Sequence, residues 1–161
     1  MSCVRHLMFS FSLVVRESVT PAKRLGATVD ELQPHVPTDH PAVAKKLFSM
    51  ITPEVSARLD GMPPERTQAI IMGLEAHVCV MQTAMDLMDR GMEVFVLADG
   101  TSSQRPTDRA IAMRRMEQMG VWTSSSEMAL FQMLKSAEAE KFKPVSALVR
   151  EPRPDPPLPM L

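Results

Sequence analysis

The chain is poor in cysteine and in aromatic residues. Only two of its 161 residues are cysteine, one is tryptophan and none is tyrosine. Cys3 and Cys79 form no Cys-x-x-Cys motif and no Cys/His ladder, which argues against a disulfide framework and against a structural zinc site. This cysteine usage predicts a reducing, cytoplasmic setting, with a mitochondrial one as the alternative. No bound metal or cofactor is expected.

The sequence also lacks an excess of positive charge and a long apolar run. Its 18 Lys and Arg against 19 Asp and Glu give a net charge of -1, so we expect no nucleic-acid partner. No apolar run reaches the roughly 18 residues of a membrane span, so no membrane partner is expected either. Leu7 to Val15 has the length of a secretory signal core but lacks a small-x-small cleavage site, and we interpret Phe11 to Arg16 as a buried strand.

What the sequence does contain is a strand-helix-strand pattern within a 45% hydrophobic composition. Ala69 to Gly73 and Glu93 to Ala98 are short apolar runs, and Val78 to Asp89 between them is predicted to be a buried helix. This is a βαβ unit, and strands that are apolar on both faces predict a parallel sheet with helices on each side. We therefore predict an α/β fold, a doubly wound parallel sheet in three α/β/α layers.

Further elements are predicted on both sides of this unit. The pattern of Pro106 to Met119 is that of an amphipathic helix with Arg109 on its polar face. The others are a helix from Pro53 to Leu59 capped by Thr52, an edge strand from Val121 to Thr123, a helix opening at a Ser124-x-x-Glu127 capping box, and a short helix near Val145 to Arg150. The prolines concentrated near the end divide the chain into a domain over residues 1–151 and a proline-rich tail over residues 152–161.

Cys79 falls where a strand leads into a helix, at the edge of the sheet where doubly wound folds bind their ligands. The positive end of the helix dipole would lower the pKa of this thiol from its ordinary value of about 8.5 and favour the thiolate. A small buried hydrophobic residue between Val78 and Val80 is the alternative interpretation.

The segment from Gly73 to Gly91, GLEAHVCVMQTAMDLMDRG, resembles the nucleophile segment of the isochorismatase-like cysteine hydrolases. This superfamily includes nicotinamidases and N-carbamoylsarcosine amidohydrolases, and the likeness is strongest to the small isochorismatase domain-containing proteins of eukaryotes. The resemblance runs from about Leu13 to Glu151. Its other matching segments are Ala44 to Met50, Val94 to Ser103 and Thr123 to Glu127.

The resemblance implies roles for four residues. Cys79 would be the nucleophile that attacks a carbonyl carbon. Lys45 would hold the catalytic group in its charged form and lower the pKa of the Cys79 thiol. A cis peptide bond between Leu74 and Glu75 would aim the backbone amides of Glu75 and Cys79 at the developing oxyanion.

One part of the family pattern is missing. The family's general base is an aspartate at the end of the first strand, whereas the match here begins at the second strand. Upstream of Lys45 the only aspartates are Asp30 and Asp39, and neither follows an apolar strand. Asp39-His40 is the only tempting metal pair, and no Asp-x-His spacing accompanies it. These features predict a domain that is incomplete at its N-terminus and impaired as a hydrolase.

Three functions remain open at this point. The first is a cysteine hydrolase of a small amide-type or related substrate, with that small molecule as its partner. The second is a non-catalytic interaction protein or truncated gene product of the same family. A nuclease is the third, and the near-zero net charge argues against it. A homo-oligomer is compatible with each.

Overall fold

The structure, a computed structural model, describes residue 30 and residues 43–152. The predicted strand from Phe11 to Arg16 and the tail from residue 153 onward lie outside these residues. In chain order the elements are α1 (Pro53–Asp60), β1 (Gln68–Leu74), a π-helix (Ala76–Val80) that runs into α2 (Met81–Asp89), β2 (Glu93–Ser102), α3 (Pro106–Gln118), β3 (Trp122–Ser124), α4 (Ser126–Leu134) and α5 (Phe142–Leu148). No helix within this part of the chain is long and apolar enough to cross a membrane.

The described strands form one parallel sheet in the order β1-β2-β3, which confirms the α/β prediction. Strands β1 and β2 pair regularly from Gln68 opposite Glu93 up to Ile71 opposite Val96. The next pair joins Gly73 to Thr101. Between these two pairs β1 advances by two residues and β2 by five. The extra residues of β2 form a bulge at its carboxyl end, where such irregularities re-aim side chains.

One face of the sheet carries the main core. The alternating side chains of Val94, Val96 and Ala98 point to this face, where α2 and α3 cover them. The helix residues of this cluster are Val80, Ala84, Leu87, Met113 and Met116. Fully burying an aliphatic side chain of this size stabilises a fold by about 1.5–3 kcal/mol, so these contacts hold the helices on the sheet.

The other face of β1 carries exposed apolar side chains. Ile70, Met72 and Leu74 are 42%, 58% and 71% exposed. Within residues 43–152 no element packs over these three side chains, so helices in this part of the chain cover β1 on one face only. β2 differs, since Leu97 on the same face of the sheet is only 6% exposed.

The predicted helix ends hold to within a few residues. Thr52 caps α1 by accepting a hydrogen bond from the Val55 amide, as expected. Ser125, rather than Ser124, caps α4 by accepting from the Met128 amide at 3.1 Å, because Ser124 is still part of β3. The last helix begins at Phe142.

Candidate active site

Cys79 lies inside the π-helix that follows β1, with 6% of its surface exposed. The helix begins at Ala76, two residues before the predicted start, because Glu75 turns the chain with φ 61° and ψ 68°. π-Helical turns inserted in α-helices occur often at functional sites. A nucleophile in a covered site and a small buried hydrophobic residue both require burial, so burial alone does not separate the two interpretations of Cys79.

The predicted cis bond between Leu74 and Glu75 is wrong, since no peptide bond in the described part of the chain is cis. The chain reverses instead through the left-handed backbone of Glu75. Its carbonyl accepts hydrogen bonds from the amides of Val78 at 3.0 Å and Val80 at 3.4 Å. The assignment of the Glu75 and Cys79 amides to an oxyanion hole rested on the cis bond, and it loses that support here.

Lys45 is 3% exposed and its ammonium group is held by its own loop. Nζ donates to the carbonyl oxygens of Leu47 and Phe48, both at 2.8 Å. These bonds fold the segment around the charge. A buried ammonium is costly unless its protons are hydrogen-bonded, and the two carbonyls meet part of that need.

Thr83 joins the lysine segment to the cysteine helix. Its hydroxyl donates to the carbonyl oxygen of Cys79 at 2.6 Å and accepts from the amide of Met50 at 2.9 Å. Thr83 itself is 2% exposed. The structure therefore brings the segment that carries Lys45 onto the turn of helix that carries Cys79, although Lys45 and Cys79 are 34 residues apart in the sequence.

A polar cluster that the sequence does not predict lies beside the cysteine helix. Glu75 Oε1 accepts from the Gln104 amide at 3.3 Å, and Glu75 Oε2 lies 3.3 Å from His77 Nδ1. The same imidazole nitrogen lies 3.3 Å from the hydroxyl oxygen of Ser103. These contacts join the turn after β1 to the loop after β2. The sequence carried no signal for the cluster, because its partners are about 26 residues apart and meet only through the sheet.

Arg109 was predicted on the polar face of its helix, and that prediction is wrong. The residue is only 6% exposed. Nε donates to the carbonyl oxygen of Thr101 at 2.8 Å and Nη2 to that of Ala98 at 2.5 Å. Both carbonyls belong to the carboxyl end of β2, at and just after the bulge, so Arg109 ties α3 to this end of the strand.

The bulge of β2 also fixes the start of α4. The carboxylate of Asp99 accepts hydrogen bonds from the amide of Ser126 at 2.8 and 3.0 Å and from its hydroxyl group. An acidic side chain at this end of a helix is stabilised by the helix dipole and by the unsatisfied amides. The Asp99 carboxylate therefore has a structural role, capping α4 at the same edge of the sheet that carries Cys79.

No metal site is found among the described residues, in which no group of three or more His, Cys, Asp or Glu side chains lies together. The Asp39-His40 pair falls outside them. A cavity of about 410 Å³ opens at the opposite edge of the sheet, lined among others by Thr67 and Met92, which precede β1 and β2. It is remote from the carboxyl ends of the strands and takes no part in this site.

The described sheet is parallel and carries Cys79 at a strand-to-helix turn. Thr83 ties the segment of the buried Lys45 to that turn, and this arrangement is the basis for a family assignment. The isochorismatase domain family matches residues 5–128, and the chain belongs to this family.

Individual relatives refine this assignment. The chain is 42% identical over 133 residues to isochorismatase domain-containing protein 2 of Xenopus laevis, a match that covers 83% of this chain and 63% of the relative. It is 40% identical over 131 residues to the secreted isochorismatase effector Isc1 of Phytophthora sojae, covering 80% and 62%. The chain thus spans somewhat less than two thirds of these relatives. Among solved structures, the MAR1 ribonuclease of Caenorhabditis elegans matches with a TM-score of 0.79 and 32% identity over 91% of this chain and 73% of that one.

Proposed function

We propose that this chain is a hydrolase-family protein in which Cys79 is the nucleophile toward a small amide-type substrate and Lys45 supports its reactive form. The observation that carries this proposal is the Thr83 link, which holds the lysine segment against the turn of helix around Cys79. The cysteine also lies at the carboxyl end of a parallel strand, where doubly wound folds place their chemistry.

The reaction balances in two steps. The sulfur of Cys79 adds to the carbonyl carbon, the C–N bond breaks, and the thiol proton leaves with the amine to give a thioester. Water then cleaves the thioester to a carboxylic acid and restores the thiol. Thr83 bonds the segment of Lys45 to the cysteine helix, and in this proposal the positive charge of Lys45 stabilises the thiolate in the first step.

We also propose that turnover is impaired, because a carboxylate that accepts the thiol proton has no evident counterpart in this sequence. Of the two aspartates before Lys45, Asp30 is an exposed turn residue and Asp39 lies outside the described residues. General base catalysis typically contributes about 10² to 10⁴ in rate, and it would be lost in both steps. A substrate would then acylate Cys79 slowly and remain attached.

A non-catalytic binding protein is the second candidate, and the exposed apolar side chains of β1 favour it. Exposed apolar side chains that lie together often mark an interaction surface, and Ile70, Met72 and Leu74 form such a row. A similar solved structure is named MAR1 ribonuclease, so ribonuclease activity is another candidate function for this chain. The net charge of -1 argues against that activity here, since RNA binding depends on neutralising phosphates.

The test is intact-protein mass spectrometry after incubation with a panel of small amides that includes nicotinamide. We expect an acyl adduct that forms slowly, disappears in Cys79→Ala and persists in Cys3→Ala, the matched control. No adduct and no turnover with any amide would leave the binding protein as the better candidate. Rapid turnover that Cys79→Ala abolishes would contradict the proposed impairment.

A further inference from the structure

The outer edge of β1 has no neighbour among the described strands. The sheet order β1-β2-β3 places β1 and β3 at its two ends. β3 is a short edge strand of three residues, whereas β1 runs for seven residues without a charged side chain or a proline. Natural edge strands are usually short or carry charges or proline, because a long apolar edge pairs with other chains. β1 therefore has the composition of an interior strand, which has a neighbour on each side.

The side chains of β1 lead to the same conclusion. Ile70, Met72 and Leu74 on one face of the strand are exposed. Ile70 lies opposite Phe95, which lies opposite the exposed Trp122, so one apolar row crosses all three described strands. Opposite side chains of paired strands lie about 5 Å apart and contact each other. A further strand beside β1 would therefore continue this row and cover its outer end.

The described crossovers restrict which segment can lie at this edge. α2 and α3 connect parallel strands, and both pack on the face of the sheet that carries the main core. α1, which precedes β1, packs against the same core through Leu59. Parallel crossovers are right-handed in about 98% of cases, so strands joined by helices on one face follow one another in one direction. A parallel strand that precedes α1 must then lie beside β1, on the edge away from β2.

The sequence before α1 contains a candidate for this strand. Phe11 to Arg16, which lies outside the described residues, is predicted to be a buried strand, with Leu13, Val14 and Val15 at its centre. The family match over residues 5–128 includes both this segment and the described sheet. Residues 17–67 connect it to β1, which is more than the dozen or so residues that a parallel crossover needs.

We propose that Phe11 to Arg16 pairs with the outer edge of β1 as a parallel strand. The sheet of this chain then has four strands in the order of this segment, β1, β2 and β3. The edge is occupied by the chain itself rather than by a second copy or another protein. Such pairing satisfies the amide and carbonyl groups along the outer edge of an apolar strand. The proposal goes beyond the proposed function, since it does not depend on the chemistry of Cys79.

The pairing is tested by disulfide scanning of the full chain in the Cys3→Ala and Cys79→Ala background. Val14→Cys is combined in turn with Ala69→Cys, Ile70→Cys, Ile71→Cys and Met72→Cys, and each chain is oxidised with oxidised glutathione. Paired strands hold their Cα atoms about 5 Å apart, a separation at which a disulfide forms. Because side chains alternate between the faces of a strand, we expect intrachain disulfides only with positions on one face of β1. Leu13→Cys should give disulfides only with positions on the other face.

Three results of the scan would overturn the proposal. Disulfides that join two chains, seen as a dimer on a non-reducing gel, would show that a second copy occupies the edge. Disulfides formed at every position would show a contact without strand pairing. The absence of any disulfide in chains that keep their circular dichroism spectrum would show that the segment lies elsewhere.

Hydrogen exchange of the full chain keeps the proposal testable if a double-cysteine variant does not fold. Val14→Pro removes a backbone donor from the middle of the segment. We expect the amides of residues 68–74 to exchange about tenfold faster relative to those of β3, because local opening of β1 then costs less free energy. Val19→Pro, which lies beyond the predicted strand, is the matched control and should leave this ratio unchanged. Equal ratios in the two variants would also overturn the proposal.

Discussion

Lys45 and Arg109 are both buried cations held by two backbone carbonyls, but they connect different parts of the molecule. Lys45 bonds to residues two and three positions along its own loop. Arg109 reaches from α3 to the bulge of β2, eight and eleven residues back in the sequence. The bonds of Lys45 fix the position of its charge within one loop. Those of Arg109 instead hold α3 against the end of β2. The comparison predicts that losing each will show in a different measurement.

The largest effect is expected on the free energy of unfolding when Arg109 is replaced. Arg109→Met keeps the apolar length of the side chain but leaves the carbonyls of Ala98 and Thr101 without their partner. Two hydrogen bonds to a charged group are lost, and we expect destabilisation of about 3 kcal/mol by urea unfolding. Arg114→Met, an exposed change in the same helix, should stay within about 0.5 kcal/mol. Equal stability of the two variants would contradict a bracing role.

The second effect concerns the link between the Lys45 segment and the cysteine helix. Thr83→Val is close to isosteric, yet it removes the hydroxyl that bonds both the Met50 amide and the Cys79 carbonyl. A buried amide without its acceptor costs about 1–3 kcal/mol, so we expect destabilisation of about 2 kcal/mol together with slower alkylation of Cys79. Thr107→Val serves as the exposed control. A variant with unchanged stability and unchanged alkylation would show that the lysine segment docks without this residue.

The two cations also show what could be predicted from the sequence. The sequence predicts the βαβ unit because apolar runs and a buried helix alternate with glycine turns. The candidate role of Lys45, in contrast, comes only from the family resemblance. Its charge places Arg109 on the polar face of its predicted helix, and the structure buries it instead. Its spacing to Ala112, Met113 and Met116 nevertheless follows one helical face, and all four are buried. That spacing was the available signal.

Other features were beyond sequence reasoning for physical reasons. Glu75 adopts a left-handed backbone that non-glycine residues rarely take, so nothing in its residue type announces the turn. The bulge of β2 depends on how the strand pairs with β1, and pairing is not visible in either strand alone. Adjacent serines at the start of α4 differ by one position in their role, which local propensity does not resolve.

The smallest effect is expected on the reactivity of Cys79 when Lys45, the cation held by its own loop, is replaced. If Lys45 supports the thiolate, Lys45→Met should slow alkylation of Cys79 by iodoacetamide at neutral pH by about tenfold, since one unit of thiol pKa corresponds to about 1.4 kcal/mol. Lys46→Met is the matched control, because Lys46 is exposed and adjacent in the sequence. Alkylation should be followed by peptide mass spectrometry, which separates Cys79 from Cys3. Equal rates in both lysine variants would mean that the buried ammonium shapes its loop without acting on the thiol, and Lys45 would then differ from Arg109 only in which part of the chain it holds.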